Sequence, residues 1–168
     1  MTGTGVRRLI VVRHAKATHK PGFADFDRPL TGRGRRDARA AGEWLSGRGF
    51  VPDLVLCSSA RRTEQTWAEL AAALAGGREI EVWYEPQLYG ATEDLTLDLV
   101  GATPAEVSTL MVISHNPAAQ EVAATLSGQG DLDFPTCAIA VIGLGSWARL
   151  VPGAGEAHAL WTPASAGS

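Results

Sequence analysis

The sequence predicts an α/β fold: a three-layer α/β/α sandwich with a mainly parallel sheet. Three observations lead there. Short apolar, β-branched runs alternate along the chain with longer segments of helical periodicity. The clearest of these runs have no polar side, as strands covered by helices on both faces require. The 168 residues, 45% hydrophobic and 20% charged, suffice for one core and contain no internal repeat or linker, so residues 1–168 are expected to form one domain.

The elements follow in order. Leu9 to Arg13 (LIVVR) is an uninterrupted β-branched run and reads as a buried strand. A polar loop with Pro21, Gly22 and Pro29 comes next. Arg33 to Ser46 reads as a helix, with Ala38, Ala41 and Leu45 at helical spacing and Gly47 near its end. Asp53 to Cys57 is a second strand, and Ala60 to Ala75 a second helix closed by Gly76 and Gly77. Glu79 to Tyr84 alternates and predicts a third strand. Tyr89, Gly90 and Thr92 lead into a helix over Glu93 to Val100. Thr109 to Ser114 is a fourth strand, apolar on both faces. Pro117 opens a helix reaching Leu126, where its missing N–H costs nothing. Ala138 to Ile142 and Trp147 to Val151 predict a strand pair across a glycine-containing turn. The small, polar tail from Pro163 is expected to fray. All five tryptophans (Trp44, Trp67, Trp83, Trp147, Trp161) read as partial core.

Composition excludes several classes of partner. The net charge of −3 gives no reason to expect nucleic acid or an anionic membrane. Arg33, Arg35, Arg36 and Arg39 read as a solvated helix face. The apolar run Leu9 to Val12 is too short for a signal peptide or a membrane span. Cys57 and Cys137 lie in apolar stretches and read as buried small hydrophobes, not a disulfide framework. A cytoplasmic protein is the expectation.

Ligands of open α/β sheets bind beyond the carboxyl ends of the strands. The first strand ends in Arg13-His14, the second in Cys57-Ser58-Ser59 ahead of Arg61-Arg62, and the fourth in Ser114-His115-Asn116. Two histidines and two or three arginines at one edge are not what packing asks for. Arginine forks bind phosphate oxygens in pairs and stay charged. A neutral imidazole attacks phosphorus and forms a covalent intermediate. Arg13, Arg62 and His115 can supply the positive charge that phosphoryl transfer needs without a metal, and the second helix would add its N-terminal N–H groups. Other chemistries fail on sequence. There is no G-x-x-x-x-G-K-[ST] loop and no G-x-G-x-x-G after a strand. The four histidines (His14, His19, His115, His158) lack metal-ligand spacing with carboxylates. Cys57 lies four residues before Arg61 and five before Arg62, where a cysteine phosphatase needs six. Neither metal nor cofactor is expected.

The motifs V-V-R-H-A (11–15), R-P-L-T-G-R-G (28–34), S-S-A-R-R-T-E-Q-T (58–66) and V-I-S-H-N-P (112–117) resemble the histidine phosphatase superfamily, also called phosphoglycerate mutase-like. The resemblance covers nearly the whole chain in order. The short length and the D-x-D-R-P-L-T stretch look like the SixA-type phosphohistidine phosphatases, which remove phosphate from histidine on phosphoproteins. Carried over, the resemblance makes His14 the nucleophile and Arg13 its phosphoryl-binding neighbour. Arg62 becomes the arginine at the helix opening, with Arg61 the weaker match. His115 becomes the second histidine, and Arg28 reaches the phosphate from the R-P-L-T loop. Asn116 stands where many members have glycine. It either donates a hydrogen bond or caps the helix at Pro117, and the cap is the favoured reading.

One departure matters. Larger members carry a glutamate general acid after the third strand, and Gln87 occupies that position here. Asp25, Asp27, Glu85 and Glu93 are the carboxylates left to replace it, with Asp25 and Glu85 the candidates carried forward. An imidazole leaving group, whose conjugate acid has a pKa of about 6.5, needs far less acid assistance than an alkoxide. The sequence thus favours a phosphoramidate substrate. Size agrees, since 168 residues leave little chain for a lid beyond the His19 to Asp27 loop and the Tyr89 to Gly101 stretch. The expected partner is a phosphorylated protein or a small phosphorylated molecule. The rival readings are a phosphatase of small phosphoesters, a phosphoglycerate mutase, and a phosphate-recognising module without turnover.

Overall fold

The computed structural model describes residues 5–74 and 79–166. Six strands form one sheet: β1 (Arg7–Arg13), β2 (Leu54–Ser58), β3 (Glu81–Glu85), β4 (Thr109–Ser114), β5 (Ile139–Leu144) and β6 (Glu156–Trp161), in spatial order β3-β2-β4-β1-β5-β6. The pairings β2–β3, β2–β4 and β1–β4 are parallel, while β1–β5 and β5–β6 are antiparallel. The sheet is therefore mixed, with a parallel half that carries the predicted strand ends.

Strand periodicity sorts side chains to two faces. Leu9, Val11, Leu54, Leu56, Leu110 and Val112 point to a core shared with α3 (Glu93–Gly101) and α4 (Ala118–Ser127). Ile10, Val12, Val55, Cys57, Met111 and Ile113 point to a core shared with α1 (Gly32–Gly47) and α2 (Arg61–Ala73). The result is the three-layer sandwich that the continuous apolar runs predict.

Helix α1 buries Gly34, Ala38, Ala41, Gly42 and Leu45. Its glycines permit close approach: a Cβ on Gly42 would run into the Leu70 carbonyl of α2, and one on Gly34 into the Lys16 carbonyl. The arginine-rich outer face is solvated and paired, Arg35 and Arg39 reaching Glu69 of α2 at 3.3 and 2.7 Å and Arg33 reaching Asp37 at 3.7 Å. Thr31, the threonine of the R-P-L-T stretch, caps α1 by accepting the Gly34 N–H at 3.0 Å. Thr92 caps α3 in the same way, through Leu95.

Four expectations need correction or comment. Trp147 to Val151 is not a strand. Trp147 is drawn into the core, its Nε1 donating to the Val107 carbonyl at 2.9 Å, and Glu156–Trp161 pairs with β5 instead. Trp83 is 40% exposed on the edge strand β3, whereas Trp67, Trp147 and Trp161 are buried and Trp44 half-buried. The tail does not fray directly from Pro163. A short helical turn, α5 (Pro163–Ala166), forms there, closed by reciprocal bonds between Thr162 and Ser165. The expected end of the second helix at Ala75, with Gly76 and Gly77 closing it, lies outside the described residues.

No described helix is long and apolar enough to cross a membrane. Cys57 and Cys137 are free and fully buried, and burial pushes both thiols up, Cys137 to about 12.

Candidate active site

The parallel strands β1, β2 and β4 deliver their carboxyl ends side by side. Val12 is level with Ile113, and Arg13 with Ser114. His14 follows immediately. Its N–H donates to the Ser114 carbonyl at 3.1 Å, and its carbonyl accepts the Cys137 N–H at 2.9 Å. Cys137 adopts φ 63°, an uncommon conformation for a residue other than glycine, in making this bond. Ala15 N–H donates to Thr66 Oγ1 at 3.0 Å, so α2 grips the loop just beyond the histidine.

His14 is buried, with 8% of its surface exposed. Nδ1 lies 2.8 Å from the Ala15 carbonyl, which can only accept, so Nδ1 carries the proton and Nε2 keeps its lone pair. Burial drives the His14 pKa down to about 3; His115, Arg62 and Arg13 lower it further, against the opposing Ala15 bond. His14 is therefore neutral at neutral pH, with one ring nitrogen free to attack.

The His115 ring lies 5.3 Å from that of His14, centre to centre. Its Nε2 is 2.8 Å from Ser58 Oγ, which in turn accepts the Ala60 N–H at 3.3 Å. Ser58 Oγ can both accept and donate, so this contact fixes the position of the His115 ring and not its tautomer. Burial first, then Arg62, lowers the His115 pKa to about 4.

Arg62 is 6% exposed and held by Asp25, Nη1 donating to its carbonyl at 2.8 Å and Nη2 to Oδ2 at 3.2 Å. Arg13 donates through Nη1 to the Phe134 carbonyl at 3.2 Å. Among the described residues, Arg13 Nε, Arg62 Nε and His115 Nδ1 are buried without a protein partner. The positive charge of Arg13 and Arg62 acts directly on His14, which suits a group that brings anionic oxygens.

The remaining sequence candidates divide. Arg28 reaches the cluster through Asp25, at 3.1 Å, and is anchored on the Thr18 carbonyl at 3.0 Å. Arg61 is exposed and bonds the Asp27 carbonyl at 3.4 Å, so Arg62 is the arginine of the cluster. Both ends of the Asn116 amide are engaged by the protein, Nδ2 with the Phe134 carbonyl and Oδ1 with the Gln120 N–H. The N-cap position of α4 falls on Pro117, and Asn116 lies one residue before it, accepting the Gln120 N–H of the first turn. Gln87 is exposed in a 3-10 turn, Pro86–Leu88. Glu85 ends β3 in register with Ser58 and so shares its face of the sheet.

Asp25 does not suit the role of acid. Its Oδ2 accepts from Tyr89 Oη at 2.7 Å and from Arg62, and its Oδ1 from Arg28. The Tyr89 bond, then Arg62 and Arg28, hold its pKa down at about 2, so it stays a carboxylate when an acid would need its proton. Sequence reasoning missed Tyr89 and gave Ser58 no role. Tyr89 touches Asp25, Phe26, Arg62 and His115 at once. Nothing local marks it, because its partners come from three separate segments.

Known proteins share this fold. The model of the histidine phosphatase superfamily (branch 1) matches residues 9–103. The phosphohistidine phosphatase SixA of Escherichia coli (strain K12) is 31% identical over 138 residues, covering 82% of this chain and 85% of its own. A structure named for phosphohistidine phosphatase SixA from Nakamurella multipartitia is 34% identical, with a TM-score of 0.81 over 95% of this chain and 97% of that one. The protein histidine phosphatase SixA complexed with tungstate is 28% identical, with a TM-score of 0.78 over 95% of this chain and 99% of that one. The strand-end histidines, Arg13 and Arg62 beside them and the similarity over most of the chain converge, and the chain belongs to the histidine phosphatase superfamily as a SixA-type phosphatase.

Proposed function

We propose that this phosphatase hydrolyses phosphohistidine on a protein, through a phosphoryl intermediate on His14. The observation that carries the reading is the neutral, oriented His14, with Nδ1 pinned on Ala15 and Nε2 free, beside the positive charge of Arg13 and Arg62 and the ring of His115. A relative bearing the SixA name binds tungstate, an oxyanion of phosphate shape.

In the first step His14 Nε2 forms a P–N bond as the substrate's P–N bond breaks. The electron pair of the broken bond stays on the leaving ring. A substrate ring already protonated on its other nitrogen departs as neutral imidazole and needs no acid. Arg13, Arg62 and His115 meet the phosphoryl oxygens, where charge redistributes in the transition state. In the second step water attacks phosphorus. The bond to His14 breaks, the ring regains its Nε2 lone pair, and phosphate leaves with the protons of water. Ala15 holds the Nδ1 proton throughout.

The carboxylate held ionised at Asp25 and the glutamine at position 87 both fit a substrate that does without strong acid assistance. The test is a paired assay without added metal, with a phosphohistidine peptide in one arm and p-nitrophenyl phosphate plus sugar phosphates in the other, and His14→Ala as the blank. Fast His14-dependent release from the peptide with slow ester turnover is expected. Preferential ester hydrolysis would overturn the substrate assignment and leave the nucleophile standing.

A further inference from the structure

We infer that Asn116 is a positioning residue of the reaction, holding the Arg13 guanidinium in place through the Phe134 carbonyl. This rests on the phosphoryl-transfer reading of His14 and Arg13 and adds a residue that touches neither substrate nor nucleophile.

Arg13 ends β1, directly before His14, and its long side chain loses much rotational freedom when it is fixed. A fixed guanidinium needs a fixed partner. That partner is the Phe134 carbonyl, which accepts from Arg13 Nη1 at 3.2 Å. Phe134 lies in the connection between α4 and β5, where neither a helix nor a strand sets the direction of a carbonyl. The Leu132 and Phe134 side chains are buried in the core, which anchors the segment and leaves its carbonyls to be aimed by hydrogen bonds.

The start of α4 supplies those bonds. Asn116 Nδ2 donates to the Phe134 oxygen at 2.9 Å, closer than Arg13 does. The two side chains together occupy the two lone pairs of that oxygen. Gln120 Nε2 donates to the Leu132 carbonyl at 2.8 Å, and the Gln120 N–H bonds Asn116 Oδ1 at 3.3 Å. An amide suits position 116 because it offers a donor on one side and an acceptor on the other. Asn116 thereby ties the segment that anchors Arg13 to the strand end that carries His115.

Asn116 also follows His115 and precedes α4, so lost activity alone would not isolate its action on Arg13. A double-mutant cycle does. The protein is assayed on a phosphohistidine peptide as wild type, Asn116→Ala, Arg13→Ala and the double variant, with His14→Ala as the blank and melting curves to confirm folding. Asn116→Ser, which retains an oxygen for the first turn of α4 and lacks the amide, takes the place of alanine if that variant does not fold.

Asn116→Ala should lower kcat/KM about tenfold, the scale of one hydrogen bond to a charged group, and weaken inhibition by tungstate by a similar factor. Arg13→Ala should lose more. In the Arg13→Ala background, removing Asn116 should cost less than about twofold, because the group it positions is gone. The same tenfold loss in both backgrounds, or no loss from Asn116→Ala in the wild type, overturns the positioning role and leaves the phosphoryl-transfer reading standing. Full activity in Arg13→Ala, or no His14-dependent turnover by the wild type, overturns both.

Discussion

A neutral imidazole is a nucleophile and a protonated one is not, so His14 works only where the fold keeps its proton count fixed. Burial does this first and neighbouring positive charge second, bringing His14 to about 3 and His115 to about 4. Both rings should therefore stay neutral on acidification through the usual histidine range. A ¹⁵N NMR titration checks it: the two rings keep neutral-imidazole shifts down to about pH 5, and a midpoint near 6.5 for either would contradict the geometry. The same reasoning separates two carboxylates. Asp25 is fixed as an anion, while Glu85 shares the face of Ser58 and is the acid candidate we propose to test on an ester substrate. Glu85→Gln should lower any ester turnover about 10²-fold or more and leave phosphohistidine turnover nearly unchanged. Equal loss on both substrates would remove Glu85 from the acid role.

At the scale of elements, the site depends on how α1 and α2 hold the loop after β1. Thr66 of α2 accepts the Ala15 N–H and donates to the Arg62 carbonyl at 2.7 Å. Thr66→Val keeps the volume and strands a buried N–H, which costs about 1–3 kcal/mol. Melting should drop by several degrees, and kcat should fall more than KM rises. Gly34→Ala drives a methyl into the Lys16 carbonyl from the other side and should displace the same loop, with a stability loss of about 1–3 kcal/mol.

Much of this was legible because the strand-end motifs are contiguous in sequence. R-H at the end of β1, S-S-A-R-R at the end of β2 and S-H-N-P at the end of β4 each place their functional groups within five residues of a recognisable apolar run. The Asp25–Tyr89 bond was not legible, since it joins positions 64 residues apart through loops with no periodicity. The misplaced last strand has a similar cause. Trp147 to Val151 has local β-propensity, but burial of Trp147 decides its conformation, while the alanine-rich E-A-H-A-L-W run forms the edge strand through pairing with β5.

At the scale of the whole molecule, the buried neutral histidines tie stability to pH. In the unfolded chain both titrate near 6.5; in the folded chain they do not until about 4 and 3. The unfolded state thus binds more protons below pH 6.5, and stability falls as pH drops through that window. Denaturant titrations from pH 7 to 4 should show this slope, and the doubly substituted His14→Gln/His115→Gln protein should show a shallower one. An unchanged slope would mean that other groups dominate acid sensitivity.

The phosphoryl intermediate on His14 is the claim on which the mechanism turns, and rapid quench into alkali followed by peptide mass spectrometry tests it directly. Wild-type protein mixed with a phosphohistidine peptide should carry one transient phosphoryl group on His14, and His14→Ala should carry none and lose at least about a thousandfold in turnover. Turnover that survives in His14→Ala, or a phosphoryl group trapped on another residue, would contradict it.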